Sequence, residues 1–181
     1  MEITTIKPFL EYYENLRKRT LRVIKCIPPE KMDWTHTVGK FTFADLIRHL
    51  AATERFMFAE TVQNKKSLYP GHEKDLADGY DNVLRFLCEM HDESMQIFRG
   101  LSDEDLQRKC LTPAATPITV WKWLRALAEH EIHHRGQIYA YLGMLDISAP
   151  PLYGLTSEEV RERSKQGHCV TNEIAKIQIY D

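Results

Sequence analysis

Apolar residues recur along most of this chain at steps of three and four, the period of an α-helix packed on one face. Ile6, Phe9, Leu10, Tyr13, Leu16, Thr20, Val23 and Ile24 trace the first such stripe, over about 5–26, and Pro28-Pro29 forbids its continuation. A polar connector containing Trp34 leads to Thr42, a good N-cap with Asp45 at N3 near the positive helix end. The helix so begun carries Leu46, Ile47, Leu50, Ala51 and Met57, and fades near Gln63-Asn64-Lys65-Lys66. A third helix is expected over about 75–99, on Tyr80, Val83, Leu84, Leu87, Met90, Ile97 and Phe98, with Gly100 as its stop. Ser102 caps a single turn over 101–106, and the stretch through Pro113 and Pro117 reads as loop. A fourth helix runs from about Thr119 to Leu142 on Val120, Trp123, Leu124, Leu127, Ile138, Tyr141 and Leu142, with Gly143 as its stop. A shorter helix capped at Thr156 or Ser157 ends at Gly167, and the tail with Ile174, Ile177 and Ile179 reads weakly as a strand.

Four long amphipathic segments predict an all-α fold, a four-helix bundle with a short additional C-terminal helix. A chain of 181 residues suits one domain, with the bundle core over about 5–145 and a C-terminal extension over about 146–181. No βαβ alternation and no Gly-rich phosphate cradle interrupts the pattern.

Composition narrows the function classes. The net charge is −2, with no Lys/Arg-rich run, which argues against a nucleic-acid or anionic-membrane surface. No apolar run reaches the roughly 18 residues of a membrane span, and no leader-like N-terminus is recognisable. The four cysteines, Cys26, Cys88, Cys110 and Cys169, form no C-x-x-C pair, so the expectation is a cytoplasmic protein with free thiols.

The chemistry concentrates in the fourth helix. Ala128-Glu129-His130-Glu131-Ile132-His133-His134-Arg135-Gly136-Gln137 holds three of the eight histidines within five residues. At 100° per residue, His130 and His134 lie about 40° apart and continue the apolar line, whereas His133 lies about 60° to the other side. Imidazoles at i and i+4 are close enough to share a metal ion through bonds of roughly 2.0–2.1 Å. The pairing of His130 with His133 remains the internal competitor. A lone histidine on an apolar edge is more often a hydrogen-bonded core residue, but two inward imidazoles need partners. His49, on the edge of the second-helix stripe, is the candidate third ligand. His91 on the third helix competes with it, while His36 and His72 fall in loops and His168 follows a helix stop.

His130-Glu131-Ile132-His133-His134 also satisfies H-E-x-x-H, the zinc-peptidase pattern of two ligands and a Glu base. The extended form of that motif requires Gly at 137 and His at 140, where this chain has Gln137 and Ala140. No edge strand is evident to hold a peptide.

The segment from His130 to Ile138, together with Thr42-Phe43-Ala44-Asp45-Leu46-Ile47-Arg48-His49-Leu50 and Pro29-Glu30-Lys31-Met32-Asp33-Trp34, resembles the DinB-like (DinB/YfiT) superfamily of damage-inducible metal-binding bundles. The resemblance runs from about Phe9 to Leu155. By position it implies a metal triad at His49, His130 and His134. Relatives in that superfamily include S-transferases and isomerases that use low-molecular-weight thiols such as bacillithiol or mycothiol, and homodimers are common.

The expectation is therefore a metal-dependent enzyme that transfers or adds a small thiol, or water, to an electrophilic small molecule. Three imidazoles leave open coordination positions, which is the catalytic rather than the structural pattern. Zn²⁺ fits first, and Ni²⁺ or Fe²⁺ also suits imidazole. Glu131 and Glu54 are the acidic residues nearest the triad in sequence, either as a base, as partners orienting an imidazole, or as solvated charges. The competing expectation is a non-catalytic, stress-linked metal-binding bundle.

Overall fold

A computed structural model describes residues 2–165. They divide into two compact units, one ending at Ser148 and the next beginning at Ala149. The first unit is a four-helix bundle, in agreement with the all-α reading. The predicted strand near Ile174–Ile179, the stop at Gly167, His168 and Cys169 lie outside the described residues.

Helix α1 is Ile6–Ile24 and buries Phe9, Tyr13, Leu16, Arg17, Thr20, Val23 and Ile24 on one face. A 3₁₀ turn over Pro29–Lys31 follows the predicted proline break. Helix α2, Phe43–Thr53, starts with a capping box: Asp45 N–H donates to Thr42 Oγ1 at 3.0 Å, and Thr42 N–H donates to Asp45 Oδ2 at 2.9 Å. It then passes into a π-helical turn, Glu54–Phe58, in which the Ala59 N–H reaches back to the Glu54 carbonyl, and ends in a short α3, Ala59–Thr61. The extra residue in that turn shifts the helical phase. Phe58 and Ala59 are therefore buried, while Met57, expected on the stripe, is only half-buried.

Helix α4 is Tyr80–Arg99, five residues shorter at its start than expected, because Gly79 at φ 79° sets its N-terminus. A 3₁₀ turn over Asp105–Gln107 carries the predicted Ser102 cap, with Asp105 N–H donating to Ser102 Oγ at 3.2 Å. The stretch expected as plain loop contains a small antiparallel hairpin, β1 (Lys109–Leu111) paired with β2 (Pro117–Thr119). Three-residue strands are too short to show an alternation pattern, and Pro117 sits at the first strand position, where proline is tolerated. Helix α5 is Val120–Met144, so Gly143 lies inside its last turn rather than ending it. In the second unit, α6 (Ser157–Lys165) starts with its own capping box, Thr156 with Glu159.

Around the bundle, α1 packs against α4 and α5, and α2 packs against the same two helices. Consecutive helices α1 and α2 therefore lie across the bundle diagonal, and α2 lies beside α5. One part of the core joins Phe9, Tyr13 and Leu16 to Phe58, Met95, Phe98, Leu124 and Leu127. Among the described residues no helix is long and apolar enough to cross a membrane. Cys26, Cys88 and Cys110 are free thiols.

Candidate metal centre

Packing α2 beside α5 brings His49 against His130 and His134. The Nε2 atoms of His49 and His130 are 3.1 Å apart, and those of His134 and His130 are also 3.1 Å apart. The ligand atoms of all three lie within 4.8 Å of one another, and no Cys, Asp or Glu belongs to the group. Nitrogens sharing one tetrahedral zinc ion sit about 3.3 Å apart, so the spacing fits a common ion.

The outer nitrogens are tied down. His134 Nδ1 lies 2.6 Å from Gln137 Oε1, an acceptor, so Nδ1 carries the proton and Nε2 presents its lone pair. His49 Nδ1 lies 2.8 Å from the Tyr69 hydroxyl, which can accept the Nδ1 proton when Nε2 is the ligand atom. The ring of Phe41 stands 5.4 Å from that of His49, and Phe58 stands 6.1 Å from His130. Burial, then the neighbouring His134 and His72, pushes His49 down to about 4. Burial, then His134, His49, His133 and Arg17, pushes His130 down to about 3. Burial also lowers His134. All three imidazoles are thus neutral near pH 7, the state that ligates a metal. A set of three neutral imidazole nitrogens at this spacing suits a divalent ion.

The model of the DinB superfamily matches residues 12–138. The chain belongs to the DinB superfamily. Two solved structures share its fold. A DinB-like protein from Bacillus cereus ATCC 10987 has a TM-score of 0.69 at 15% identity, over 82% of this chain and 97% of that one. A DinB-like protein from Bacillus subtilis has a TM-score of 0.68 at 17% identity, over 83% of this chain and 100% of that one. A comparison with curated proteins found no match.

Within this DinB-superfamily bundle, the structure sorts the other predicted residues. His133 is exposed on the flank of α5, as the helical angles imply. His91 stays away from the triad, with Nδ1 2.8 Å from Glu54 Oε1 and Nε2 3.6 Å from Glu14 Oε2. His36 is exposed and contacts the Tyr141 hydroxyl at 3.1 Å. His72 stands with its ring 6.1 Å from that of His49, at the edge of the site.

Glu54 and Glu131 are not solvated charges, for both are fully buried. They share the guanidinium of Arg17, which pairs with Glu54 and lies 3.1 Å from Glu131 Oε2. Burial opposes the charge on Arg17, but Glu131 and Glu54 outweigh it and hold the guanidinium firmly protonated. The hydroxyl of Tyr13 lies 3.4 Å from Arg17 Nη2. Burial, then the two carboxylates, raises Tyr13 well above its ordinary value. Ionisable residues from α1 (Tyr13 and Arg17), the π turn (Glu54), α4 (His91) and α5 (Glu131) therefore meet in a buried cluster. Glu54 serves Arg17 and His91 rather than a triad imidazole. This placement also removes the peptidase arrangement, which needs the motif glutamate beside the open face of the metal.

Sequence reasoning missed Arg17, Arg48, Tyr69 and Gln137. Arg17 had a signal, as a cation between Tyr13 and Thr20 on an apolar stripe. Arg48 is fully buried beside Asp45 and donates to the His72 carbonyl at 2.7 Å and the Ala77 carbonyl at 2.9 Å. These bonds hold the connector that carries Tyr69 and His72 against α2.

Proposed function

We propose that this chain is a metal-dependent enzyme that transfers or adds a small thiol, or water, to an electrophilic small molecule. His49, His130 and His134 hold the ion, with Zn²⁺ the first choice and Ni²⁺ or Fe²⁺ the alternatives. The observation that carries the reading is the convergence of three Nε2 atoms at 3.1 Å steps, with no carboxylate or thiolate among the described residues completing the set. Three protein ligands with room for more is the reactive pattern, since structural zinc sites are closed by four. A bound ion of this kind supplies positive charge that favours a thiol as its thiolate, the nucleophilic form.

The protein's own groups do the positioning. Gln137 and Tyr69 orient two of the imidazoles, and burial keeps all three neutral. Phe41 and Phe58 give the site apolar walls suited to a small organic electrophile. Purified protein, with and without metal, is to be assayed against a panel of low-molecular-weight thiols with alkylating and epoxide electrophiles. The reading expects thiol consumption only in metal-loaded protein. Equal rates with and without metal contradict it.

One observation favours a non-catalytic metal-binding bundle: Glu54 and Glu131 are committed to Arg17, so neither is free to act as a base. Chelation separates the two readings. A structural ion, once removed, takes much of the melting temperature with it, and no thiol supports turnover. A reactive ion takes the activity and little of the stability.

A further inference from the structure

A pocket of about 560 Å³, lined in part by Tyr69, lies between the end of α3 and the β1–β2 hairpin. Its walls include Lys65, Lys66, Ser67, Thr112 and Tyr69, and no carboxylate is among the described residues that line it. Among the described residues neither lysine forms an ion pair. The nearest polar partner of Lys65 is Gln63 Oε1, at 2.9 Å from Nζ. Among the described residues, the concavity is thus lined by two cations and the hydroxyl residues Thr61, Ser67, Tyr69 and Thr112, with no group of opposite charge.

Two further features mark the same place. Asn64 at φ 61° and Ala115 at φ 57° both line the pocket in left-handed backbone, a conformation that L residues rarely adopt. Both are turn positions: the Asn64 N–H donates to the Thr61 carbonyl where the helix ends, and the Ala115 N–H donates to the Thr112 carbonyl in the hairpin turn. Tyr69 belongs to both places, because its ring forms a wall of the pocket while its hydroxyl lies 2.8 Å from His49 Nδ1.

We propose that this pocket binds the anionic end, carboxylate or phosphate, of the small molecule that reacts at the triad. Lys65 and Lys66 supply the charge, and Ser67 and Thr112 supply hydroxyl donors. The body of the ligand lies along Tyr69 toward His49. The pocket then selects acidic substrates, and Tyr69 transmits its occupancy to the metal centre. The proposal rests on the triad being the reactive centre, but binding at the pocket is measurable without it.

The test uses the full chain, metal-free and then cobalt-loaded. Inorganic phosphate and succinate are titrated separately at constant ionic strength, and backbone amide resonances are followed. The expected result is a saturable shift of amides within 61–69 and 111–115 in metal-free protein. In the double variant Lys65→Ser, Lys66→Ser, binding is expected about tenfold or more weaker, with an unchanged melting temperature. The tighter of the two probes names the anion. Absence of saturable shifts, or equal binding by the double variant, overturns the pocket. In cobalt-loaded protein, an anion-induced change in the visible spectrum that disappears in the lysine variant supports the link through Tyr69. A change that persists in the variant comes from the anion at the metal itself and overturns that link. If the wild-type chain takes up no divalent metal while the amide shifts stand, the enzyme reading falls and the anion site remains.

Discussion

The hydroxyl of Tyr69 lies 2.8 Å from Nδ1 of His49, so a residue from the connector after α3 contacts a candidate metal ligand on α2. Partners of this kind fix the tautomer and the ring angle of a metal-binding imidazole, and losing one costs roughly 10–100-fold in affinity. Tyr69→Phe removes only the hydroxyl. It is expected to weaken zinc binding about tenfold, toward the lower end of that range because water can reach the half-buried site. Competition against a fluorescent zinc chelator measures this. Unchanged affinity means that Tyr69 does not orient His49.

Arg17 and its two carboxylates predict a different kind of effect. Removing one member of a buried ion cluster strands the others, at a cost of about 3–5 kcal/mol. Arg17→Met is therefore expected to lower the melting temperature by roughly 10 °C or more. The triple replacement Arg17→Met, Glu54→Gln, Glu131→Gln leaves no stranded charge and is expected to recover part of that loss. Differential scanning calorimetry on metal-loaded protein checks both. A triple variant less stable than Arg17→Met contradicts the cluster as a set of mutually compensating charges.

The triad makes stability depend on pH in a defined direction. His49 and His130 titrate in the folded protein near 4 and 3, below their ordinary value of 6.5. On acidification the unfolded chain takes up protons first, so the contribution of these residues is full above about 6.5 and is lost as pH falls through the folded values. Metal-free protein is thus expected to lose melting temperature between pH 6.5 and about 4. The double variant His49→Gln, His130→Gln is expected to show a flatter profile. Parallel profiles for the two proteins contradict the depressed values.

The parts of this structure that were legible in the sequence are those set by local periodicity. The four long helices follow from three- and four-residue spacing. His130 and His134 follow from the helical angle between i and i+4, which also places His133 outside. His49 was reachable because it sits at the edge of a stripe facing the same interior. What escaped depends on which helix lies beside which. Nothing near Arg17 announces that Glu54 and Glu131 will meet it, because that meeting requires α1 beside α5 and a π turn that aims Glu54 inward. Glu131 is fully buried, but nothing local in the sequence separates a buried partner from a solvated charge there. Tyr69 could not be placed, because the connector that carries it is held by the bonds from Arg48 to the carbonyls of His72 and Ala77 rather than by any local pattern. The β1–β2 hairpin was hidden by its three-residue strands.

The central claim is that one divalent ion is held jointly by α2 and α5 through His49, His130 and His134. Metal content by mass spectrometry, in the wild type and in His49→Ala, His130→Ala, His134→Ala and His133→Ala, tests it directly. The account predicts close to one equivalent in the wild type and in His133→Ala, and substantial loss in each of the other three. Full occupancy in His49→Ala, His130→Ala and His134→Ala, or loss in His133→Ala equal to theirs, contradicts it.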